Sequence, residues 1–540
     1  MKIAVGELIV RFMEHLGIAH VFGMPGAHIL PVYDHLRGSG IESILVKHEQ
    51  GAAFMAGGYA RASGRIGACL ATAGPGATNL VTGIANAYAD RLPVLAVTGE
   101  TSTWIFGRGG LQEGSGQGGA IDLSAMFSGI TRYHRVIDNA DLLAQALSGA
   151  VRVLRQAVAG PAVLTIPYDV QKAVVEESLL DEIDFAPTPP AVPESAGEDL
   201  ARMIAQARHP VLVAGDGCMR SGAQAVIARI AQTFHLPVAT SINGKGIIDE
   251  TSPLSLGCLG ITSDGHAWRH VVDCADLVIF LGASFNERTS RLWNPELLEG
   301  KKVVQVDHDP ERLGRVPNPD RAICADVRAV LEDALAALER EDMPAKARCS
   351  APPRVVNPHF RLIEHFLSGL GGRFPQGMQI IDDNIILAQS HFRASPVHRY
   401  FPNSGISAIG HAIPAAIGAR LARAVPTFAI LGDGGFQMCC MELMAAVNHG
   451  IPLNVVLINN GTLGLIRKNQ YQLYGGRYID CDFVNPDYAL LARSFGIGHF
   501  RIETEGDVDR LFGSADLEAA INLIEIPWDK NVFPGYKSDR

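Results

Sequence analysis

Short apolar runs bounded by glycine or proline recur along the chain and alternate with segments of helical periodicity. Three of them are GACLATAG (67–74), HPVLVAGDG (209–217) and PTFAILGDG (426–434). Because such runs are apolar on both faces, they are typical of strands buried inside a parallel sheet. Helices between parallel strands build βαβ units and doubly wound sheets. The pattern therefore predicts an α/β fold.

Two proline-rich segments interrupt this alternation. Residues 175–199 are also acidic and residues 340–358 are otherwise polar, which is typical of linkers. A chain of 540 residues is too long for a single core. We therefore predict three α/β domains with doubly wound parallel sheets, at residues 1–174, 195–342 and 357–540.

Composition argues against several functional classes. The chain is 47% hydrophobic and 19% charged, and its net charge of −10 without a basic block makes nucleic acid an unexpected partner. No uncharged apolar stretch reaches the length of a membrane span. Residues 1–18 are typical of an amphipathic helix rather than a signal peptide. The nine cysteines form no Cys-x-x-Cys pattern, which predicts reduced thiols and a cytoplasmic location.

The segment LGDGGFQMCCMELMAAVNHGIPLNVVLINNGTLG (431–464) carries the most informative polar residues. Asp433 follows one apolar run, and Asn459–Asn460 follow the next. Ligands of open α/β sheets bind outside the carboxyl ends of the strands, and Asp and Asn oxygens suit a hard cation such as Mg²⁺. Gly434 and Gly435 would leave backbone N–H groups free to bind a diphosphate. On the spacing alone, helix capping explains these residues equally well.

A second Gly-Asp-Gly lies at 215–217. It too is followed by a helical pattern, an apolar run and an asparagine, Asn243, but it lacks the second asparagine. We interpret it as the ordinary first βα turn of the central domain.

The segment 431–464 resembles the metal–diphosphate motif of thiamine-diphosphate enzymes, and in particular that of acetolactate synthases and pyruvate-oxidase-like enzymes. The resemblance implies that Mg²⁺ is bound by Asp433, Asn460 and the backbone carbonyl of Thr462. It also implies that thiamine diphosphate contacts a set of residues in the first and last domains: Glu49, Pro25, Gly26, Gly74, Asn79, Ile409, Gly432, Asp433, Gly434, Gly435, Asn460 and Leu465.

Thiamine chemistry also requires a carboxylate that activates the cofactor. Glu49 lies in ILVKHEQGAAFMAGGYARASG (44–64). A lone glutamate there is more often an exposed residue at a helix start, but segments 21–36 and 71–100 also resemble the family. The resemblance implies that Glu49 activates the aminopyrimidine ring and that Ile409 holds the cofactor in a bent form.

The resemblance further implies a pyrimidine-binding first domain, a central domain and a last domain that binds diphosphate and Mg²⁺. Glu49 of one subunit would meet Asp433 of another, so the active sites would lie at the interface of at least a homodimer. The other expected partners are a small 2-oxo acid and a carbonyl acceptor, with neither nucleic acid nor membrane.

The predicted substrate pocket departs from the family. Acetolactate synthases carry an active-site Gln shortly before an Asp near the end of the first domain. Alignment on Asp122 places Gly119 at that position and Gly118 where decarboxylases have a His pair. Either this glycine-rich loop simply opens the pocket, or Gln117 or Gln112 reaches in from a rebuilt loop.

Ala27 stands where simple decarboxylases of the family have an acidic or hydroxyl residue. His28 follows it, and either faces the pocket or caps the next helix.

Residues after the asparagine pair are expected at the pocket entrance. We expect Leu465, Ile466 and Asn469 to line it. Arg467 or Lys468 is a candidate to meet an anionic acceptor.

The central domain is a candidate nucleotide site. Asp307 and Asp309 follow the run KVVQV, a position that suits ribose hydroxyls. Members of the family bind FAD there, or ADP, or nothing. The chain has no clear Gly-x-Gly-x-x-Gly, so FAD or another nucleotide stays an open alternative.

Together these features predict a thiamine-diphosphate-dependent carboligase that decarboxylates a 2-oxo acid and transfers the acyl carbanion to a carbonyl acceptor. The alternatives are a non-oxidative 2-oxo acid decarboxylase and a non-catalytic protein of the same fold. The glycines at 118 and 119 further predict weak self-condensation of pyruvate and broad acceptor use, and Gly119→Gln is expected to shift activity back toward pyruvate.

Overall fold

The structure is a computed structural model, and it describes residues 1–188, 193, 195–263, 265–347 and 358–534. Three six-stranded sheets, one in each domain, contain most of the strands.

The first domain has eight strands and eight α-helices in its described part. The strands are β1 (Lys2–Ala4), β2 (His20–Gly23), β3 (Glu42–Leu45), β4 (Gly67–Ala71), β5 (Val94–Glu100), β6 (Tyr133–Val136), β7 (Ala162–Pro167) and β8 (Val174–Glu176). The helices are α1 (Val5–His15), α2 (Leu30–Leu36), α3 (Glu49–Ser63), α4 (Pro75–Asn79), α5 (Val81–Ala89), α6 (Leu123–Ser128), α7 (Leu143–Arg155) and α8 (Tyr168–Gln171). The parallel sheet has the order β3-β2-β4-β5-β7-β6, and β1 pairs antiparallel with β8.

The central domain has six strands and six α-helices in its described part. The strands are β9 (Pro210–Ala214), β10 (Val238–Thr240), β11 (Ser255–Cys258), β12 (Leu277–Leu281), β13 (Lys302–Asp307) and β14 (Arg321–Cys324). The helices are α9 (Ala196–Gln206), α10 (Asp216–Arg220), α11 (Gln224–Phe234), α12 (His266–Cys274), α13 (Pro310–Leu313) and α14 (Val327–Arg340). Its parallel sheet has the order β11-β10-β9-β12-β13-β14.

The last domain has six strands and eight α-helices in its described part. The strands are β15 (Met378–Asp382), β16 (His398–Pro402), β17 (Thr427–Gly432), β18 (Leu453–Asn459), β19 (Gly498–Arg501) and β20 (Ile521–Pro527). The helices are α15 (Arg361–Arg373), α16 (Ile386–His391), α17 (Ala412–Ala422), α18 (Asp433–Cys439), α19 (Leu443–His449), α20 (Gly464–Tyr474), α21 (Tyr488–Phe495) and α22 (Glu505–Ser514). Its parallel sheet has the order β16-β15-β17-β18-β20-β19.

These three parallel sheets confirm the predicted α/β fold class. Strands β4, β5, β7, β9 and β12 are buried along their entire length. That burial explains why their sequences are continuous apolar runs rather than alternating ones.

The first and last sheets share one topology. Numbered within its own sheet, each follows the strand order 2-1-3-4-6-5, whereas the central sheet follows 3-2-1-4-5-6. The order reverses between β2 and β4, between β9 and β12, and between β15 and β17. Because the flanking loops leave in opposite directions, such a reversal is the place at the carboxyl edge where open α/β sheets form a crevice and bind ligands.

Helices α3 and α17 hold equivalent places in these two sheets and pack against each other. Glycines allow their backbones to touch. A Cβ added at Gly58 would lie 2.1 Å from the carbonyl oxygen of Ala415, and one added at Gly418 would lie 1.9 Å from that of Met55. This contact joins the first domain to the last.

The two predicted linkers are only partly described. A 3-10 helix over Glu177–Glu182 buries Leu180 in the core of the first domain, and α9 begins at Ala196. Residues 189–192, 194 and 348–357 lie outside the described residues. The domain boundaries therefore stay predictions.

Seven of the nine cysteines are free thiols. Cys274 is disulfide-bonded, so the expectation of reduced thiols throughout the chain is wrong at this residue. In the described ranges, no helix combines the length and the apolar character that crossing a membrane requires.

Candidate active site

Asp433 begins α18 directly after β17, and its carboxylate is 1% exposed. Its Oδ2 accepts hydrogen bonds from the N–H groups of Asn460 (3.0 Å) and Gly461 (2.6 Å), and its Oδ1 accepts one from the N–H of Gly434 (3.0 Å). Because β17 and β18 are neighbours, the loops that follow them meet. The structure thus brings together the two polar groups that the motif spacing predicted to lie close.

Asn485 supports the same carboxylate, although nothing in the sequence singled it out. Its side-chain amide donates to Asp433 Oδ2 (2.7 Å) and to Asn459 Oδ1 (2.8 Å). Asn459 in turn donates to Glu525 at 2.7 Å. Asn459 therefore orients Asn485, which in turn holds Asp433. Asn460, the second asparagine of the pair, lies next to the Asp433 carboxylate.

The oxygen atoms around Asp433 are of the type that Mg²⁺ prefers. The side-chain oxygen of Asn460 accepts from the N–H of Thr462 at 3.2 Å, which places the Thr462 backbone beside the amide. In the described ranges, no group of three or more His, Cys, Asp or Glu side chains could hold a metal ion. A set of one carboxylate, one amide oxygen and one carbonyl instead fits a hard cation that also takes phosphate oxygens.

A cavity of 280 Å³ opens beside Asp433. Eight other residues predicted for the site line it: Ile409, Gly432, Gly434, Gly435, Asn460, Thr462, Leu465 and Ile466. Every described residue in its lining lies between positions 383 and 534. The cavity is therefore built by the last domain alone, including its C-terminal segment from Trp528 onward.

Asp383 is a second buried carboxylate in this cavity that the sequence reasoning missed. It accepts hydrogen bonds from the N–H of Gly410 (2.7 Å) and the side chain of Asn403 (3.2 Å). Burial raises its pKa to about 7. Because Gly410 follows Ile409, Asp383 fixes the loop that presents Ile409. The signal was available, since Asp383 follows the apolar run of β15 just as Asp433 follows that of β17.

Lys468 and Arg467, the two candidates to meet an anionic acceptor, have different surroundings. Lys468 is buried and lines the cavity, and burial lowers its pKa to about 8. Arg467 instead pairs with Asp482 at 2.8 Å and lies over the ring of Tyr478. Lys468 is therefore the better placed of the two.

Glu49 begins α3 and is buried rather than exposed. Its Oε2 accepts a hydrogen bond from the side chain of Asn79 at 2.9 Å. A Cβ added at Gly76 would lie 3.4 Å from Glu49 Oε1, so a glycine leaves space beside the carboxylate. Burial excludes the interpretation of Glu49 as a solvated helix-start residue.

Other predicted residues gather at the same edge of the first sheet. His28 Nδ1 lies 3.1 Å from Gln112 Oε1. The backbone of Gln112 has a φ of +59° and lies against Gly74, where an added Cβ would be 2.9 Å from Gln112 Cβ. Gly26 faces Thr72, where an added Cβ would be 2.6 Å from Thr72 Cβ. His28 therefore points toward Gln112 rather than capping a helix.

Family comparisons agree with this geometry. Residues 3–119 match the model of the N-terminal TPP binding domain of thiamine pyrophosphate enzymes, 198–334 match the central domain, and 384–526 match the C-terminal TPP binding domain. A probable acetolactate synthase large subunit from Methanocaldococcus jannaschii is 32% identical, over 97% of this chain and 91% of that protein. The chain belongs to the thiamine pyrophosphate enzyme family. Its cofactor, thiamine pyrophosphate, is the thiamine diphosphate predicted from the motif.

Two further relatives of this thiamine pyrophosphate enzyme extend the similarity. An acetolactate synthase from Arthrospira platensis is 33% identical, over 91% of this chain and 88% of that protein. The large subunit of acetolactate synthase isozyme 2 from Escherichia coli is 30% identical, over 97% of this chain and 96% of that protein.

The residues predicted to line the substrate pocket of this thiamine pyrophosphate enzyme are dispersed. Gln117, Gly118 and Gly119 are exposed, and a Cβ added at Gly119 would have nothing within 4 Å. Asp122 caps α6 by accepting from the N–H of Ala125 at 2.9 Å. The loop around Gly119 therefore lies at the surface, whereas Gln112 lies beside Gly74 and His28.

Ala27 and Pro25 are exposed, and Asn469 is not among the residues that line the cavity beside Asp433.

The carboxylates predicted for a ribose site in the central domain already have partners within the chain. Asp309 pairs with Arg91 of the first domain and with Arg312, and it also caps α13. Asp307 accepts from the N–H of Asp309 at 2.9 Å. A ribose that bound Asp309 would have to displace these two arginines, whereas Asp307 Oδ2 is buried without a hydrogen-bond partner in the described part of the chain, so a nucleotide in this domain stays a prediction.

The crevice at the central reversal point is closed as well. The N–H of Gly217 donates to the carbonyl of Gly282 at 2.9 Å, so the loops after β9 and β12 touch. A Cβ added at Gly215 would lie 2.3 Å from Ala283 Cα.

Proposed function

We propose that this enzyme is a carboligase like acetolactate synthase, which decarboxylates a 2-oxo acid and joins the remaining acyl unit to a carbonyl acceptor. The observation that carries the proposal is the similarity to acetolactate synthases over nearly the full chain, in a protein that has Glu49, Asp433 and Asn460 at the required strand ends. When bound, thiamine diphosphate supplies a nucleophilic carbon and takes up the electrons released as CO₂ leaves.

The last domain holds the metal and the diphosphate in this proposal. Asp433, Asn460 and the carbonyl of Thr462 would bind Mg²⁺, and the backbone N–H groups of Gly434 and Gly435 would bind the diphosphate. Hydrogen bonds from Asn460, Gly461 and Asn485 keep the Asp433 carboxylate in one orientation, which preorganises the site.

The proposal places the active site between two copies of the chain. Glu49 belongs to the first domain, while the lining of the cavity beside Asp433 comes from the last domain in the described part of the chain. Within one chain, the last domain contacts the start of α3 through Glu442, which accepts a hydrogen bond from the N–H of His48 at 2.9 Å. In the proposal, a second copy supplies Glu49 to the cavity beside Asp433. The side chain of Asn79 donates a hydrogen bond to Glu49 and so orients its carboxylate.

Gln112 and His28 are proposed to handle the substrate. Both lie at the carboxyl edge of the first sheet, close to Thr72 and Gly74. Gln112 offers an amide N–H to a substrate carboxylate or carbonyl, and His28 fixes its orientation. Gly119 is exposed and has no atom within 4 Å of an added Cβ in the single chain. The structure therefore gives no support to the prediction that Gly119→Gln shifts activity toward pyruvate.

Product analysis with pyruvate alone and with pyruvate plus a second carbonyl compound tests the function. The carboligase forms acetolactate or a mixed hydroxyketone in the presence of thiamine diphosphate and Mg²⁺. Acetaldehyde as the sole product would favour the decarboxylase alternative. Cofactor binding without turnover of any 2-oxo acid would favour the non-catalytic one.

A further inference from the structure

A second cavity, of 590 Å³, lies where the three domains meet. Its walls come from the C-terminal end of α3 and the loop at 91–93 in the first domain, from α10 in the central domain, and from the end of β16 in the last. It shares no lining residue with the cavity beside Asp433.

The charge of this junction cavity is strongly positive. Among the described residues, Asp216 is the one acidic side chain in its lining. Six arginines line it: Arg61, Arg65, Arg91, Arg155, Arg220 and Arg399. Such a density of guanidinium groups favours anions.

Three of these arginines are already neutralised. Arg61 pairs with Asp90, and Arg91 pairs with Asp309. Arg220 pairs with Asp216 at 2.6 Å. The carboxylate of the second Gly-Asp-Gly motif, Asp216, is therefore paired with Arg220. It is not free to bind a cation.

The other three arginines have no ion pair within the described ranges. Arg65 lies over the ring of Tyr59, and Arg155 donates to the carbonyl of Leu16 at 3.1 Å. Arg399 lies over the ring of Phe401 and has neither a hydrogen bond nor an ion pair there. Burial, together with the charge of Arg423, lowers the pKa of Arg399 to about 10. Because a partly buried charge without an ion pair is costly, an anion in the cavity would stabilise this corner of the fold.

Unpartnered polar atoms point to the same ligand chemistry. The Nε atoms of Arg155 and Arg399 and the Oδ1 atom of Asn243 are buried without a hydrogen-bond partner in the described structure. These two donors and one acceptor belong to residues that line the same cavity. Leu92, Pro93 and other apolar residues complete the walls.

We propose that the junction cavity binds a small organic molecule that carries a phosphate or diphosphate group. Arg155 and Arg399 donate to the phosphate oxygens, because a guanidinium matches them in geometry as well as in charge. Asn243 accepts from a polar N–H or O–H of the organic part, and the apolar wall covers the rest. The site does not depend on the proposed carboligase function.

Binding at this junction should also stabilise the folded enzyme. The ligand touches residues of all three domains, so it binds the assembled chain and not the unfolded one.

Calorimetric titration of the holoenzyme tests the site with three probes. Saturation with thiamine diphosphate and Mg²⁺ occupies the cofactor site, so it cannot contribute a second signal. We expect ADP to bind more tightly than inorganic pyrophosphate, both to weaken as salt is raised, and adenosine not to bind. Failure of both anions to bind would overturn the site, and equal affinity for ADP and pyrophosphate would overturn the organic part of the ligand.

Substitutions of the arginines that line the junction cavity test whether ADP binds there. Arg399→Gln and Arg155→Gln should each weaken ADP binding by about tenfold or more, since each removes a charge-assisted hydrogen bond. Arg399→Lys keeps the charge and should fall between wild type and Arg399→Gln. Arg423→Gln is the matched control, because it removes a neighbouring charge that does not line the cavity.

Equal affinities in the Arg399→Gln, Arg155→Gln and Arg423→Gln proteins would overturn the assignment. If Arg399→Gln does not fold, Arg155→Gln and Arg399→Lys decide the question.

Discussion

Glu49 is buried in the first turn of α3 and held by Asn79, so its replacement tests chemistry more than folding. Glu49→Gln should lower turnover by about 100-fold or more, the usual cost of losing an acid–base group. Cofactor affinity should stay nearly unchanged, because it comes from the metal and diphosphate contacts. Deuterium exchange at C2 of the bound cofactor measures the step directly. Exchange as fast as in wild type, or an equal loss in the exposed control Glu42→Gln, would remove Glu49 from the mechanism.

Gln112 and Gln117 are five positions apart but have different surroundings. Gln112 contacts His28 and lies against Gly74, whereas Gln117 is exposed. Gln112→Ala should lower kcat/KM for the 2-oxo acid by about tenfold or more, because a lost orienting contact raises the barrier. Gln117→Ala should match wild type. Steady-state kinetics of the two variants decide between the glutamines, and a loss confined to Gln117→Ala would reverse the assignment.

At the scale of elements, the contact between α3 and α17 depends on glycine. A Cβ at Gly58 would overlap the backbone of Ala415, whereas one at Gly57 would lie 3.7 Å from Leu92 Cδ1, an ordinary contact. Gly58→Ala should destabilise the protein by about 1–3 kcal/mol through overpacking. Gly57→Ala should be neutral or stabilising by up to about 1 kcal/mol, since alanine favours the helix. Denaturant unfolding compares the neighbours, and similar stabilities would show that the helices are not in backbone contact.

The start of α3 is also held by a carboxyl group of the last domain. Glu442 accepts from the N–H groups of Lys47 and His48, and burial raises its pKa to about 7. A raised pKa in the folded state means that the protonated carboxyl stabilises the fold below about pH 4.5, and that this contribution is lost as the pH rises through about 7.

The free energy of unfolding of wild type, minus that of Glu442→Gln, should therefore decrease between about pH 4.5 and 7 and stay level above. The shift corresponds to at most about 3 kcal/mol. Chemical denaturation across this range measures it, with the exposed Glu518→Gln as the control. A difference independent of pH would show that Glu442 titrates normally in the folded state.

At the scale of the whole molecule, the proposed site needs two chains. Glu49→Gln and Asp433→Ala should each be inactive alone. Mixed and reassembled, they should recover about a quarter of wild-type activity, because half of randomly formed dimers are hybrids with one intact site. The assay compares the mixture with each variant treated in the same way. No recovery in proven hybrids would place Glu49 and Asp433 of one chain in the same site.

The sequence by itself determined the fold class and predicted which residues form the core of the cofactor site. Continuous apolar runs specify buried parallel strands locally, and the carboxyl ends of neighbouring parallel strands meet at one edge. The sequence therefore predicted that Asp433 and Asn460 lie close together. The resemblance to the family added Glu49 and its predicted role.

Tertiary structure alone decided which similar residues differ in their surroundings. Asp216 and Asp433 share a motif, but Arg220 pairs with one and backbone N–H groups surround the other. The loop between Gly107 and Asp122 is rich in glycine, so spacing along it did not reveal that Gln112 contacts His28 and Gly74 whereas Gly119 is exposed in the single chain. These outcomes depend on contacts between residues distant in sequence, which local periodicity does not encode.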